Sequence, residues 1–249
     1  MKIAICFFGI PRSLYKTLLS IEKNVIAPAQ KLGEVKIFAH FFNQREIFNP
    51  RSGESGALLP DQHTLLKTDW LLLEEPEQRE CVVQFGRLKS YGDIWNDNFQ
   101  SLRNLTHQLY SLNSVSQAAL EWNPNLYVFV RPDLMYHDSL EMPMIQMLDN
   151  LSDVICIPNW QHWGGFNDRF SICASANAAK AYGGRKSQAE NYCIHYQRPL
   201  HSESLVKYAL KTQQINVVPM SARASRVRSN GVVKVELFEV DAWALNIRN

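Results

Sequence analysis

One short segment places two charged side chains directly after an apolar run. Residues 127–130 are β-branched or aromatic, as in a buried strand, and Arg131-Pro132-Asp133 follow at once. Because proline cannot continue a hydrogen-bonded ladder, the strand should end there, with Arg131 and Asp133 at the edge where open α/β sheets bind ligands. An arginine beside a carboxylate suits a diphosphate, which the arginine meets directly and the carboxylate through a cation. The alternative is a structural ion pair that closes the strand.

A second candidate phosphate site follows the first apolar run. Residues 3–8 are predicted to form a strand, and Gly9-Ile10-Pro11-Arg12 a tight loop before a helix. Glycine lets the backbone approach a ligand closely, and Arg12 near a helix start could meet a phosphate. The loop lacks the G-x-G-x-x-G pattern, so a dinucleotide site is poorly supported. A surface arginine in a turn is the alternative.

Aromatic, glycine and polar residues occur together between residues 162 and 170. The segment contains Trp163, Gly164, Gly165, Phe166, Asn167 and Asp168. The two glycines remove side-chain bulk, the rings offer flat apolar faces, and Asn167 and Asp168 offer polar groups. Such a surface suits a sugar, and the carboxylate could deprotonate a hydroxyl nucleophile. An Asn-Asp turn leading into a strand at 170–174 is the alternative.

A fourth group, His201-Ser202-Glu203, lies at a predicted helix start. Glu203 in the first turn is favourable against the helix dipole whatever the function, and His201 could be an ordinary surface histidine. A place in the same site is the second interpretation of both residues. The other histidines show no metal-ligand spacing such as H-E-x-x-H.

The composition argues against several classes of protein. The chain has 249 residues, of which 46% are hydrophobic and 20% charged, as is typical of a globular protein. A net charge of +2 gives no electrostatic case for a nucleic-acid partner. The widely spaced cysteines form no C-x-x-C pair, and no apolar stretch is long enough to span a bilayer. The first apolar run lacks a cleavage site, so we expect a cytoplasmic protein without an integral membrane segment.

Strands and helices are predicted to alternate along the chain. A helix capped by Ser13 and a strand at 35–42 complete a βαβ unit, which implies parallel pairing. Residues 99–122 form the clearest amphipathic helix. Further elements are expected as helices capped by Asp138, Ser175 and Ser202, and as strands at 154–157, 170–174, 215–218 and 232–238.

The pattern predicts an α/β fold with a mostly parallel central sheet flanked by helices. We expect one domain over residues 1–249, with a variable insertion of loops and helix at 43–97. Within that insertion, residues 65–73 are compatible with either a helix or a strand.

The four segments together resemble nucleotide-sugar-dependent glycosyltransferases of the GT-A type, especially small bacterial and viral members. The resemblance covers most of the chain except about residues 44–95. In that family a strand and loop like residues 8–12 hold the nucleotide, and a strand end like residues 38–42 lies beside it. Residues 110–112 followed by Arg131-Pro132-Asp133 are similar to the region around the family's D-x-D metal motif. Residues 163–168 (W-G-G-F-N-D) are similar to the W-G-G-x-(E/N)-D segment of inverting members.

This resemblance implies a GT-A-like enzyme that moves a sugar from a nucleoside-diphosphate donor to a hydroxyl of a glycan or lipid-linked acceptor. The implied donor-binding residues are Gly9, Pro11, Arg12, His40, Arg131 and Asp133. The implied acceptor-binding residues are Trp163, Gly165, Asn167, His201 and Glu203, with Asp168 as the general base. Arg131 stands in place of the first carboxylate of D-x-D. Either Asp133 alone holds Mn²⁺ or Mg²⁺ with the diphosphate, or Arg131 replaces part of the ion's charge.

Two other functions are compatible with the sequence. A sugar nucleotidyltransferase shares the sheet class, but it normally carries a longer glycine-rich loop than residues 9–12 after its first strand. A non-enzymatic module that binds carbohydrate or nucleotide is favoured by the missing first carboxylate.

Overall fold

The computed structural model describes residues 1–140 and 153–240. The strands are β1 (Lys2–Gly9), β2 (Glu34–Phe42), β3 (Glu46–Asn49), β4 (Glu54–Ala57), β5 (Trp70–Glu74), β6 (Leu126–Val130), β7 (Leu134–Tyr136), β8 (Val154–Pro158), β9 (Ser171–Cys173), β10 (Asn216–Met220) and β11 (Ala224–Arg226). The α-helices are α1 (Leu14–Ile21), α2 (Ala27–Gln30), α3 (Arg79–Lys89), α4 (Gln100–Glu121), α5 (Ala176–Gly183), α6 (Ala189–Tyr196) and α7 (Ser202–Thr212). A π-helical turn, Glu22–Ile26, joins α1 to α2.

A seven-stranded central sheet has the order β10-β8-β9-β6-β1-β2-β5. Strand β1 pairs in parallel with β2 and β6, β2 pairs in parallel with β5, and β8 pairs in parallel with β10. Strand β9 runs antiparallel to β6 and β8, because a loop without a crossover helix, residues 159–170, joins it to β8. The predicted α/β class, with a mostly parallel central sheet flanked by helices, is confirmed.

Strand β1 is buried on both faces, and its alternate residues supply two hydrophobic cores. Ile3, Ile5 and Phe7 pack in one core with apolar residues of α1. Ala4, Cys6 and Phe8 pack in the other core with apolar residues of α4. Because side chains of a strand alternate between faces, this near-continuous apolar run is what a central parallel strand needs.

The site segments meet because of strand direction. The parallel strands β1, β2, β5 and β6 all end at one edge of the sheet, and the antiparallel β9 begins there. The loop after β1, the Arg-Pro-Asp turn after β6 and the loop before β9 therefore share that edge. Two small antiparallel sheets cover it, one formed by β3 and β4 and the other by β7 and β11.

Most predicted elements are confirmed, including the strands at 3–8, 35–42 and 126–130 and the long helix at 99–122. The ambiguous segment at 65–73 contains β5, so the predicted insertion contributes an edge strand to the central sheet. The predicted strand at 232–238 is wrong, since only isolated bridges occur at Val233 and Val240. No helix in the described residues is both long enough and apolar enough to cross a membrane.

Three of the predicted helix caps have different outcomes. Ser175 does cap α5, because its hydroxyl accepts a hydrogen bond from the Ala178 N–H at 3.0 Å. Ser13 precedes α1 but caps nothing, and its hydroxyl donates to the carbonyl of Arg228. Ser202 is the first residue of α7 rather than its cap. The prediction of a helix capped by Asp138 falls on residues that the structure does not describe, since the description stops at residue 140 and resumes at 153.

Candidate active site

A cavity of about 490 Å³ lies at the edge where β1, β2 and β6 end. Some of the predicted site residues line it, namely Gly9, Arg12, Arg131, Asp133, Trp163, Asp168 and Glu203. The others lie behind its wall, namely Pro11, His40, Gly165, Asn167 and His201. The structure therefore brings side chains from all four predicted segments around one space.

Asp133 is buried between two arginines. Its Oδ2 accepts hydrogen bonds from Nε and Nη2 of Arg12 at 3.1 and 2.7 Å. Arg131 donates through Nε to Oδ1 at 2.9 Å and through Nη2 to Oδ2 at 2.8 Å. Burial raises the pKa of Asp133, but the two guanidinium charges outweigh it and hold that pKa well below its ordinary value. The carboxylate thus stays ionised and fixes the position of both arginines.

The surroundings of Asp133 do not fit a divalent cation. Three N–H donors bind Oδ2 and one binds Oδ1, so the carboxylate offers a cation at most one free lone pair, beside two guanidinium charges that would repel it. Across residues 1–140 and 153–240, no three His, Cys, Asp or Glu side chains are grouped as a metal site would require. Asp133 is placed to hold arginines rather than an ion.

Glu54 of β4 links Arg12 to a second arginine, Arg228. Neither Glu54 nor Arg228 was predicted from the sequence to belong to the site. Glu54 accepts hydrogen bonds from Arg12 at 3.1 Å, from Arg228 at 2.7 Å and from the N–H of Ser229 at 3.0 Å. Burial raises the pKa of Glu54, but the charge of Arg12 and these hydrogen bonds bring it below its ordinary value. In the sequence, this cluster was indicated by basic residues at the alternate positions 226 and 228. That pattern could not be told from an ordinary polar strand.

Asp168 also lines the cavity, just before β9, and the charge of Arg131 acts on it. Its Oδ2 accepts hydrogen bonds from the hydroxyl of Ser202 on α7 and from the side chain of Gln108 on α4, the latter at 3.3 Å. Burial raises the pKa of Asp168, but the charge of Arg131 and the Ser202 bond more than compensate and leave it below its ordinary value. Asp168 is therefore an ionised, buried carboxylate that three separate elements position.

Glu203, in the first turn of α7, is a further carboxylate that lines the cavity. Burial, and then the negative charge of Asp168, raise the pKa of Glu203 to about 8. At neutral pH Glu203 is therefore protonated and can donate a hydrogen bond, while Asp168 is ionised and can only accept. Two carboxyl groups with such unequal affinity for protons have separate roles.

Gly165 sets the distance between the site loop and α7. A Cβ at this position would lie 2.0 Å from the carbonyl carbon and oxygen of Glu203. The next residue, Phe166, donates its N–H to the same carbonyl at 2.9 Å. Gly165 therefore allows close backbone contact and does not itself face the cavity.

Aromatic side chains form part of the cavity. Trp163 lines it with 64% of its surface exposed, and Trp95 lines it from the segment before α4. The guanidinium of Arg51 lies 3.3 Å from the centre of the Trp95 ring, a cation–π contact. Exposed flat rings around a polar cavity suit the apolar face of a sugar.

His40 and Pro11 do not line the cavity but support the residues that do. His40 is fully buried, with Nε2 2.8 Å from a carboxylate oxygen of Glu74 and Nδ1 2.8 Å from the hydroxyl of Ser111. The same hydroxyl accepts the N–H of Gly9 at 2.7 Å, so His40 supports the end of β1 through Ser111. Burial lowers the pKa of His40, although Glu74 opposes that shift. The Pro11 carbonyl accepts the N–H of the first residue of α1.

Asn167 bonds to residues of its own loop, whereas His201 contacts two residues that line the cavity. The Asn167 amide donates to the carbonyl of Trp160 at 2.7 Å and accepts from the N–H of Arg169 at 3.0 Å, which fixes the loop before β9. His201 stacks at 5.7 Å from Trp95 and lies 3.5 Å from Glu203, measured from Nδ1 to Oε2. Burial lowers the pKa of His201.

Comparison with known proteins gives a likeness in structure but none in sequence. No protein family and no curated protein matches the sequence. Among solved structures, the apo form of mouse xyloside xylosyltransferase 1 is similar to this chain, with 12% sequence identity and a TM-score of 0.41. The alignment covers 88% of this chain and 85% of that one.

Proposed function

We propose that this protein is a glycosyltransferase. It moves a sugar from a nucleoside-diphosphate donor to a hydroxyl of a glycan or lipid-linked acceptor, with inversion at the anomeric carbon. The observation that carries the proposal is one cavity lined both by arginines fixed on a buried carboxylate and by a second, ionised carboxylate, with aromatic rings also in its lining. The first set of groups suits a leaving diphosphate, and the second suits a hydroxyl nucleophile bound to a sugar.

The donor end of the cavity consists of Gly9, Arg12, Arg131 and Asp133. A guanidinium group has five N–H donors, so each arginine keeps donors beyond those that it gives to Asp133. Gly9 has a φ of +105° and open space where a side chain would begin, which leaves room for a ligand. The two arginines stabilise the negative charge that grows on the diphosphate as the glycosidic bond breaks.

The acceptor end consists of Trp163, Asp168 and Glu203. The acceptor hydroxyl attacks the anomeric carbon and forms the new C–O bond, while its proton passes to Asp168. The bond between the anomeric carbon and the diphosphate oxygen breaks, and the nucleoside diphosphate leaves with the electron pair. Because Ser202 and Gln108 both bind Oδ2, the other oxygen of Asp168 is the one that receives the proton. Glu203, protonated at neutral pH, donates a hydrogen bond to the acceptor.

The deciding experiment replaces Asp168 with asparagine, which keeps the shape and an oxygen for Ser202 but cannot take a proton. Sugar transfer and slow donor hydrolysis are measured with UDP-, GDP- and dTDP-linked sugars, and donor binding by calorimetry. We expect Asp168→Asn to lower the rate by about 10²- to 10⁴-fold, the range for loss of a general base, without weakening donor binding.

Asp61→Asn is the matched control, because Asp61 is exposed and does not line the cavity. A fully active Asp168→Asn enzyme would place the base elsewhere. A wild-type protein that binds a donor but neither transfers nor hydrolyses it would favour the non-enzymatic binding module. Absence of binding to every donor would overturn the donor end itself.

A further inference from the structure

Residues 226–234, here called the cationic hairpin, fold back on themselves directly after β11. The N–H of Lys234 donates to the carbonyl of Arg226 at 2.8 Å, and an antiparallel bridge joins the next residues of the two arms. Alternate residues of a strand share a face, as do residues paired across two strands. Accordingly, Arg226, Arg228 and Lys234 all line the cavity.

The cationic hairpin is attached to the donor end by backbone hydrogen bonds. The N–H of Val227 donates to the carbonyl of Asp133 at 2.8 Å. The N–H of Ser229 donates to a carboxylate oxygen of Glu54 at 3.0 Å. Since Glu54 also holds Arg12, the hairpin and the arginines of the donor end form one connected structure.

The three basic side chains of the hairpin differ in their partners. Arg226 pairs with Glu236 at 2.8 Å, and Arg228 pairs with Glu54 at 2.7 Å. Among the described residues, the ammonium group of Lys234 makes no direct hydrogen bond or close ion pair; the positive charges of Arg226, Arg228 and Arg169 and the negative charge of Glu236 act on it. A cation surrounded mostly by other cations is favourably placed to receive an anion.

Among the residues that line the cavity, positive charges outnumber negative ones, although the buried carboxylates of Glu54 and Glu236 pair with some of the lining arginines. Its basic lining residues are Arg12, Arg51, Arg131, Arg169, Arg226, Arg228 and Lys234. Its acidic lining residues are Asp133, Asp168 and Glu203. A nucleoside diphosphate needs this kind of neutralisation, and the Asp133 carboxylate already accepts four hydrogen bonds from arginine.

We infer that the cationic hairpin, with Lys234 in contact with the ligand, neutralises the donor diphosphate in place of a divalent cation. The inference rests on the proposed function and adds residues and a charge source to its donor end. In this arrangement Lys234 binds diphosphate oxygens opposite Arg12 and Arg131, while Arg228 holds the hairpin on Glu54. Lysine supplies a mobile point charge, which complements the fixed planar guanidinium groups.

The test measures binding of UDP, GDP and dTDP to the full chain by isothermal titration calorimetry, in buffer with EDTA and in buffer with MnCl₂. We expect one nucleoside diphosphate to bind equally well in both. We expect Lys234→Ala to weaken that binding about tenfold in both buffers, since it removes one charge-assisted contact. Lys234→Arg, which keeps the charge, should recover most of the affinity.

Lys31→Ala is the matched control, because Lys31 is exposed and lies just before β2, at the edge of the sheet opposite the cavity. It should leave binding unchanged. Lys234 is exposed and unpaired among the described residues, so its truncation removes no packing. A circular dichroism spectrum and a melting curve for each variant check that the fold is retained.

The outcomes separate this inference from the proposed function. Binding that requires Mn²⁺ and is lost in EDTA overturns the inference and leaves the donor end standing. Metal-independent binding that Lys234→Ala does not weaken overturns the role of the hairpin. Failure of all three nucleoside diphosphates to bind overturns the donor end, and the inference with it.

Discussion

The two ends of the cavity handle charge in different ways. At the donor end a buried carboxylate, Asp133, is matched by two arginines and stays ionised. At the acceptor end two carboxylates, Asp168 and Glu203, share one site, and only Asp168 is ionised at neutral pH. The paired charges give the donor end fixed geometry, whereas the unequal surroundings of two neighbouring carboxylates give the acceptor end a difference in proton affinity.

This difference separates positioning from reactivity. A fully paired cluster can orient and stabilise a ligand, but its groups have no tendency to exchange protons near neutral pH. A pair of carboxylates with separated pKa values can accept a proton at one group and donate a hydrogen bond from the other. Each of the following substitutions tests one side of that contrast.

Asp133→Ala should have the largest effect on stability. It leaves Arg12 and Arg131 partly or wholly buried without their shared carboxylate, which costs about 3–5 kcal/mol for a buried pair. Urea denaturation measures the loss. The control is Asp138→Ala, which breaks a similar pair with Arg223 at the surface and should change stability little. Equal effects would show that burial does not distinguish the two pairs.

Gly165→Ala should displace the acceptor end as a unit. The added Cβ meets the backbone of Glu203 at 2.0 Å, so the loop or α7 must move, at a cost of about 1–3 kcal/mol. Transfer should fall while donor binding persists. Gly86→Ala in α3 is the control, because no atom lies within 4 Å of the added Cβ, and it should be neutral or stabilising. Parallel loss of donor binding would show that the two ends are not independent.

Glu203→Gln should remove a pH dependence. With a pKa of about 8, Glu203 is mostly neutral at pH 7 and mostly ionised at pH 9, so wild-type transfer should fall about tenfold between them. Glutamine is neutral throughout, and the variant should keep its rate at pH 9. A wild-type rate that is flat over this range would contradict a role for neutral Glu203.

The same group makes a prediction for stability. The pKa of Glu203 is higher in the folded chain than its ordinary value of 4.5, so folding favours the protonated form. Its contribution is therefore fully present at low pH and is lost as the pH rises through about 8. Asp133 behaves in the opposite sense, because its lowered pKa makes its contribution disappear only in strong acid. Urea denaturation from pH 5 to pH 9, with Glu203→Gln as the control, measures the first slope.

Trp163→Ala should have the smallest effect. The side chain is 64% exposed, so stability should hardly change, while the KM for the acceptor should rise about fivefold through loss of one stacking contact. Leu19→Ala is the control, since Leu19 is also largely exposed and lies away from the cavity. An increase in the KM for the donor instead would place Trp163 at the other end.

The sequence predicted the parts of the fold that depend on local pattern. The apolar runs of β1 and β6 and the helical spacing of α4 carry their own signal, because each side chain meets the core at a fixed period. The antiparallel direction of β9 had no such signal. It follows from the length of the loop after β8 and from the neighbours that β9 finds in the sheet.

The sequence predicted which residues belong to the site, but not which of them hydrogen-bond to one another. Arg12, Arg131, Asp133 and Asp168 were singled out by their positions after or before strands, and they do line one cavity. Ser202 was expected to cap its helix, yet its hydroxyl donates to Asp168 from 34 positions away. The bridging role of Glu54 likewise depends on contacts between distant parts of the chain, which local spacing does not encode.

The attachment of the cationic hairpin has a consequence for the order of folding. The hydroxyl of Ser13 bonds to the carbonyl of Arg228 across 215 positions, and Glu54 meets Ser229 across 175. Contacts that close such long loops form after the elements that they join. During synthesis the strands β1, β2, β5 and β6 can therefore pair before residues 226–234 are present, while the proposed donor end is still open. If the proposed site binds nucleotide, that binding reports on the late contacts of residues 226–234 rather than on formation of the core.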